Sequence, residues 1–269
     1  MPDDWNSYLC NVNDELASVR VNLGLRAKVP DPGYAWLLWV WVYLKQPRTD
    51  GLSSGEEAQA LWSLEDALVA ALANCCSAVL SGCITTCGRR EFYFYGSSAN
   101  GFEHEVSKAL RGSGYQFDCD KQKDEGWTQY LNVLFPSEEQ RQVIENRRLM
   151  DLMKERGDKL EGTREVSHWV HFKEKNGRMA FWNAVEGSGY RVVQEFERLN
   201  DECPFWVVLA RRQKMASAAM DEAVLELFRK SKTNNGEYDG WECELVAEQV
   251  EPKEKPVGDS GSYRRSRFS

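Results

Sequence analysis

Two short stretches hold the side chains best suited to chemistry. In "HWVH", His168 and His171 could share a metal ion or pass a proton if their rings met. In "EYDGWE", the carboxylates of Glu237, Asp239 and Glu242 surround Tyr238, Gly240 and Trp241. Carboxylates beside a phenol suit acid–base work when a second polarised group stands close. Spacing argues against both. "REVSHWVHF" alternates like a strand, and side chains three apart on a strand leave from opposite faces. His168 and His171 are therefore read as separate, hydrogen-bonded histidines, and nothing near "EYDGWE" supplies the missing group. The third histidine, His104, lies between Glu103 and Glu105 on the solvated side of a helix.

The eight cysteines do not reverse this reading. Neither "CC" (Cys75, Cys76) nor "CITTC" (Cys83, Cys87) has the two-residue gap of a structural zinc knuckle. They read as packing thiols, and neither a metal nor a cofactor is expected. "GSGY" occurs twice, at Gly112–Tyr115 and Gly187–Tyr190. Both copies follow a helix instead of opening one, so their glycines are caps and turns, not an anion cradle. The one G-x-S-x-G match, "GLSSG" (Gly51–Gly55), is read as the turn and capping box that open a helix. The expectation is a protein that is not an enzyme.

The elements that must position these residues repeat. A hairpin is expected from Trp5–Cys10 and Leu16–Leu23, turning at Asn13-Asp14. The aromatic strand "AWLLWVWVYLK" follows, then a capping box in "SSGEE". The helix behind it places Leu61, Leu64, Leu68 and Leu72 on one face. Ala78–Thr85 and "EFYFY" (Glu91–Tyr95) read as a hairpin across "CGRR". A short helix with Phe102, Val106 and Leu110 leads to a strand at Tyr115–Asp120. From Ala35 the order is β-α-β-β-α-β, and the second half repeats it after a polar helix opening at Ser137. The fold class is thus α+β: two ferredoxin-like antiparallel α/β sandwich domains, the first with an extra N-terminal hairpin. Boundaries are expected at 1–135 and 136–250, with a mobile Pro/Gly/Ser-rich tail at 251–269.

Bulk properties narrow the partners. A net charge of -8 and a pI near 5.2 disfavour direct nucleic-acid contact and suit a protein partner. The greasiest run, Ala35–Leu44, is half the length needed to span a bilayer, so no membrane role is expected. The opening "MPDDWNSYLC" is acidic where a signal peptide is basic, which points to the cytoplasm. An RNA-binding alternative rests on the element order and on "GRREFYFYG", whose aromatics at 92–95 could stack on bases. A second alternative is an enzyme of unknown type working in a cleft between the domains.

Residues of the second half carry a resemblance. "SHWVHF", "GSGYRV" and "MDEAVLELFRKSKTNNGEYDGWECEL" resemble the bacterial regulator of ribonuclease E activity B, most specifically at "EYDGW". His168 matches a histidine of that family's first strand. In the first half, "DGLSSGEEAQALWSLEDAL", "GRREFYFY" and "WTQYLNVLFP" resemble a bacterial domain of unknown function, number 695. The resemblance implies a ferredoxin-like second half and a regulator that acts by protein–protein contact. It would inhibit a ribonuclease E-type enzyme of RNA decay by binding its scaffold region. The family-motif or contact residues are then His168, Glu237, Tyr238, Asp239, Gly240 and Trp241. Stand-alone members end in an acidic tail, whereas this chain ends with Arg264, Arg265 and Arg267, and it has Glu242 where they often have glycine. For "EYDGWE" itself, Asp239-Gly240 predicts a bulge that turns Trp241 inward, with Tyr238 covering the opposite face. A contact surface is the alternative reading of the motif, and acid–base catalysis ranks third.

Overall fold

The computed structural model describes residues 3–246 and the backbone of 262–264. The chain divides into two compact units, residues 1–137 and 138–269. In the first, β1 (Trp5–Val12) and β2 (Glu15–Asn22) form the hairpin. Asn13 and Asp14, both at positive φ, make a two-residue turn whose twist matches its strands. β3 (Trp36–Tyr43), α1 (Gly55–Cys76), β4 (Val79–Thr86), β5 (Arg89–Gly96), α2 (Phe102–Ala109) and β6 (Phe117–Lys123) follow. The sheet order β1-β2-β4-β5-β3-β6 is the ferredoxin-like arrangement, widened by the hairpin beyond β4. Helix α1 starts where Ser54 Oγ accepts from the Glu57 N–H. The box is not reciprocal: the Glu57 carboxylate accepts from the backbone N–H groups of Lys45 and Gln46, tying the helix start to the end of β3. Leu61, Leu64, Leu68 and Leu72 meet Leu38, Val40, Phe92 and Phe94 in one core.

The other face of this sheet is covered too. After β6 the chain folds back through a π-helical turn, Tyr130–Leu134. Tyr95 stacks on Trp127 at 3.8 Å, and its hydroxyl donates to Asp124 at 2.5 Å. Tyr130 donates to the Asn22 carbonyl, and Tyr8 to that of Leu134. Phe92, Phe94 and Tyr95 are wholly buried, with Tyr93 8% exposed, so strand 92–95 keeps no ring free to stack on bases. The alternative that alternation left open on one face is closed by this covering segment.

The second unit begins with α3 (Glu138–Glu155), followed by β7 (Thr163–Phe172), α4 (Lys175–Val185), β8 (Arg191–Glu197), β9 (Phe205–Lys214), α5 (Ser217–Thr233) and β10 (Gly236–Glu244). Strand order β10-β7-β9-β8 is again ferredoxin-like, and all pairs are antiparallel. Helices α3, α4 and α5 share one apolar cluster on a single face, including Met150, Val170, Phe181, Leu227 and Trp241. All four glycines of the two "GSGY" copies have positive φ, as turn residues do. Ser262–Arg264 forms a short strand, β11, against Glu242–Glu244 of β10. The expected mobile tail otherwise lies outside the described residues. No helix among the described residues is long and apolar enough to cross a membrane.

Candidate functional site

In "EYDGWE" the register of β10 on β7 slips between Tyr238 and Gly240, and Gly240 has φ 139°. The extra residue changes the parity of the strand. Tyr238 pairs with Val170 and Trp241 with His168, so both aromatic side chains enter the same helix-covered core. This corrects the expectation that Tyr238 covers the opposite face: a bulge between them restores two odd-spaced residues to one side. Trp241 is completely buried, and its indole N–H donates to Asn146 Oδ1 of α3 at 2.8 Å. The Asn146 amide donates in turn to Asp221 of α5 at 2.5 Å. Burial raises the Asp221 pKa, while its hydrogen bond to Asn146 works the other way. Strand, bulge and two helices thus meet at one indole.

His168 and His171 leave opposite faces of β7. His168 is fully buried, its Nδ1 sharing a 2.9 Å hydrogen bond with the Tyr238 hydroxyl. Burial lowers its pKa to about 3, so the ring is neutral and a core group, not a proton shuttle. His171 lies on the helix-free face and stacks on Trp206 at 4.4 Å and 19°. Phe196 stacks on the far side of Trp206 at 5.7 Å and meets Trp169 edge-on at 6.2 Å. The Arg198 guanidinium lies 4.6 Å from the Trp206 ring and 5.3 Å from Phe196. Three strands therefore contribute a continuous row of rings outside the core cluster, with Trp169 and Phe196 half-buried and Trp206 and His171 buried between them. Elsewhere on β8 and in the loop after it, Val192, Val193 and Leu199 are exposed.

Charged groups frame this face. A shallow cleft of about 450 Å³ is lined by Arg164, Glu165, Arg212, Glu242 and Glu244, cations alternating with carboxylates. Beneath it Asp158, fully buried, takes both ends of the Arg164 guanidinium at 2.5 and 2.6 Å and the N–H groups of Leu160 and Val246. Burial alone would raise the Asp158 pKa, but these donors hold it below the usual carboxylate range. At the other end of the face, ligand atoms of His171, Cys203 and Glu237 lie within 4.8 Å of one another. The sequence reading separated these three, treating His171 as a lone histidine and Cys203 as a packing thiol. The pairing of β10 and β9 on either side of β7 brings them together.

Of the residues singled out by the motif, His168, Tyr238 and Trp241 are core and Gly240 makes the bulge. Glu237 faces His171 across the strands at 3.9 Å, and Asp239 is half-buried. The aromatic row was missed because its members come from three strands, and each alone reads as an ordinary strand aromatic. A usable signal was the alternation of β7, which sends Trp169 and His171 away from the helices.

Residues 3–135 match the model of a family of unknown function (DUF695), and residues 143–243 match that of the family described as regulator of ribonuclease activity B. The two matches stand in the order that the sequence motifs imply. The family matched by the second unit is regulatory rather than catalytic. No curated protein matches the chain. Among solved structures, an unknown protein from Galdieria sulphuraria is similar at 12% identity, covering 77% of this chain and 96% of that one. Its TM-score of 0.20 is too low to bear on the fold.

Proposed function

We propose that the protein is a non-enzymatic regulator of an RNA-decay ribonuclease of the ribonuclease E type. It acts by direct protein contact through the helix-free face of its second unit. The family match supplies the regulatory class. The observation that carries the mode of action is the row Trp169–Phe196–Trp206–His171 capped by Arg198. Aromatic rings and arginine dominate binding energy at protein interfaces, whereas a core needs its rings on the helix side. The motif residues His168, Tyr238, Gly240 and Trp241 support the site from behind by fixing β10 against β7. Asp239, Glu237 and Glu242 contribute acidic groups along β10, suited to a basic scaffold segment.

The test is an affinity measurement between the full chain and the non-catalytic scaffold region of such a ribonuclease. Phe196→Ser and Arg198→Ala should each weaken binding by at least about tenfold, the size of a 1.4 kcal/mol contact. Their far-UV circular dichroism should match the parent. Unchanged affinity in both, or no binding by the parent to any scaffold segment, would refute the assignment.

A further inference from the structure

We propose that His171, Cys203 and Glu237 form a three-ligand site for a zinc-type divalent cation. Three segments distant in sequence deliver the ligands. His171 comes from the end of β7, Cys203 from the loop joining β8 to β9, and Glu237 from the start of β10. Their imidazole nitrogen, thiol sulfur and carboxylate oxygen all lie within 4.8 Å of one another, the one such group among the described residues. Nitrogen, sulfur and oxygen donors in tetrahedral array are the ligand set of zinc.

The geometry is close to what such an ion requires. His171 Nε2 stands 3.9 Å from Glu237 Oε2. On a tetrahedral ion with bonds of ~2.05 Å the two atoms would be ~3.3 Å apart, so the pair must close by roughly half an ångström. Glu237 has that freedom, its side chain being 27% exposed. The other two ligands are held: Cys203 is buried, and the His171 ring is pinned flat against Trp206. Among the described residues, the nearby cations Lys173 and Lys232 pair with other carboxylates, Glu202 at 3.1 Å and Glu138 at 3.0 Å. Binding converts Cys203 to the thiolate, releases its proton to solvent and leaves the fourth position to water. The ion would fasten the β8–β9 loop to the two central strands beside the aromatic row. This inference does not depend on the identity of any protein partner.

Cobalt(II) titration of the metal-depleted, reduced full chain tests it, because tetrahedral cobalt–thiolate coordination is visible where zinc is silent. One equivalent should produce a thiolate-to-cobalt charge-transfer band that zinc(II) then removes. Cys203→Ser should abolish the band, and Glu237→Gln should weaken binding at least tenfold. Cys75→Ser should leave it intact; that control matters because Cys75 and Cys76 place two sulfurs 3.0 Å apart elsewhere. If Cys203→Ser fails to fold, Glu237→Gln, at a half-exposed position, still decides the matter. No band in the parent, equal affinity in Glu237→Gln, or loss of the band in Cys75→Ser would overturn the assignment.

Discussion

At the scale of single residues, the indole of Trp241 and the ring of His168 are both fully buried where β10 meets β7. Trp241→Ala removes a fully buried side chain and strands Asn146, so a loss of about 3–5 kcal/mol in denaturant unfolding is expected. Gly240→Val should also destabilise, since φ 139° excludes a β-branched residue. A parent-like melt for Trp241→Ala would mean that the indole does not lock the strand. His168 gives a pH signature. Its folded pKa, near 3, lies below the unfolded value of 6.5, so the unfolded chain binds the extra proton first. Stability is therefore complete above pH 6.5 and declines as pH falls from 6.5 towards 3. The carboxylates with lowered pKa, Asp158 among them, lose their contribution only below about 4, so a falling urea midpoint between pH 7 and 5 belongs to the histidine. His168→Gln should flatten that decline; an equal decline in both proteins would place its origin elsewhere. The inward turn of Trp241 was legible from Asp239-Gly240. The face of Tyr238 was not, because a bulge is a relation between two strands and leaves its mark on only one.

At the scale of elements, the covering segment of the first unit explains why "EFYFY" could not be read correctly from its own alternation. Alternation assigns two faces, but cannot say that residues some thirty positions later will lie across the second one. The cover is a five-residue π turn with no period to detect, and its ties are hydroxyls: Tyr130 to Asn22, Tyr8 to Leu134, Tyr95 to Asp124. Tyr95→Phe keeps the stack on Trp127 while deleting the bonds to Asp124 and from the Tyr130 N–H. It should cost about 1–3 kcal/mol, the penalty for leaving buried polar groups unpaired. A loss below the error of the melt would mean that the segment is held by packing alone. The apolar faces of the helices, by contrast, were legible. Their apolar spacing and caps are local, and Leu61 to Leu72 sit where the three-four pattern puts them.

At the scale of the molecule, each unit builds its own ferredoxin-like sheet, β6-β3-β5-β4 in the first and β10-β7-β9-β8 in the second, over its own apolar cluster. Residues 138–246 expressed alone should therefore be soluble and unfold in one cooperative transition, followed by circular dichroism in urea. An insoluble or molten product from a stable full chain would show that the second unit borrows stability from the first. The repeat of β-α-β-β-α-β was legible because two periods alternate in a fixed order. The contact face was not, since four aromatics on three strands become neighbours only once the register is set. The central claim is that this face receives a protein partner, and amide hydrogen exchange of the full chain with and without the ribonuclease scaffold segment tests it most directly. Protection should appear in β7, β8 and β9, at 165–171, 191–198 and 205–211, with α4 and α5 unchanged. Protection confined to the helices of the second unit, or to the first unit, would contradict it.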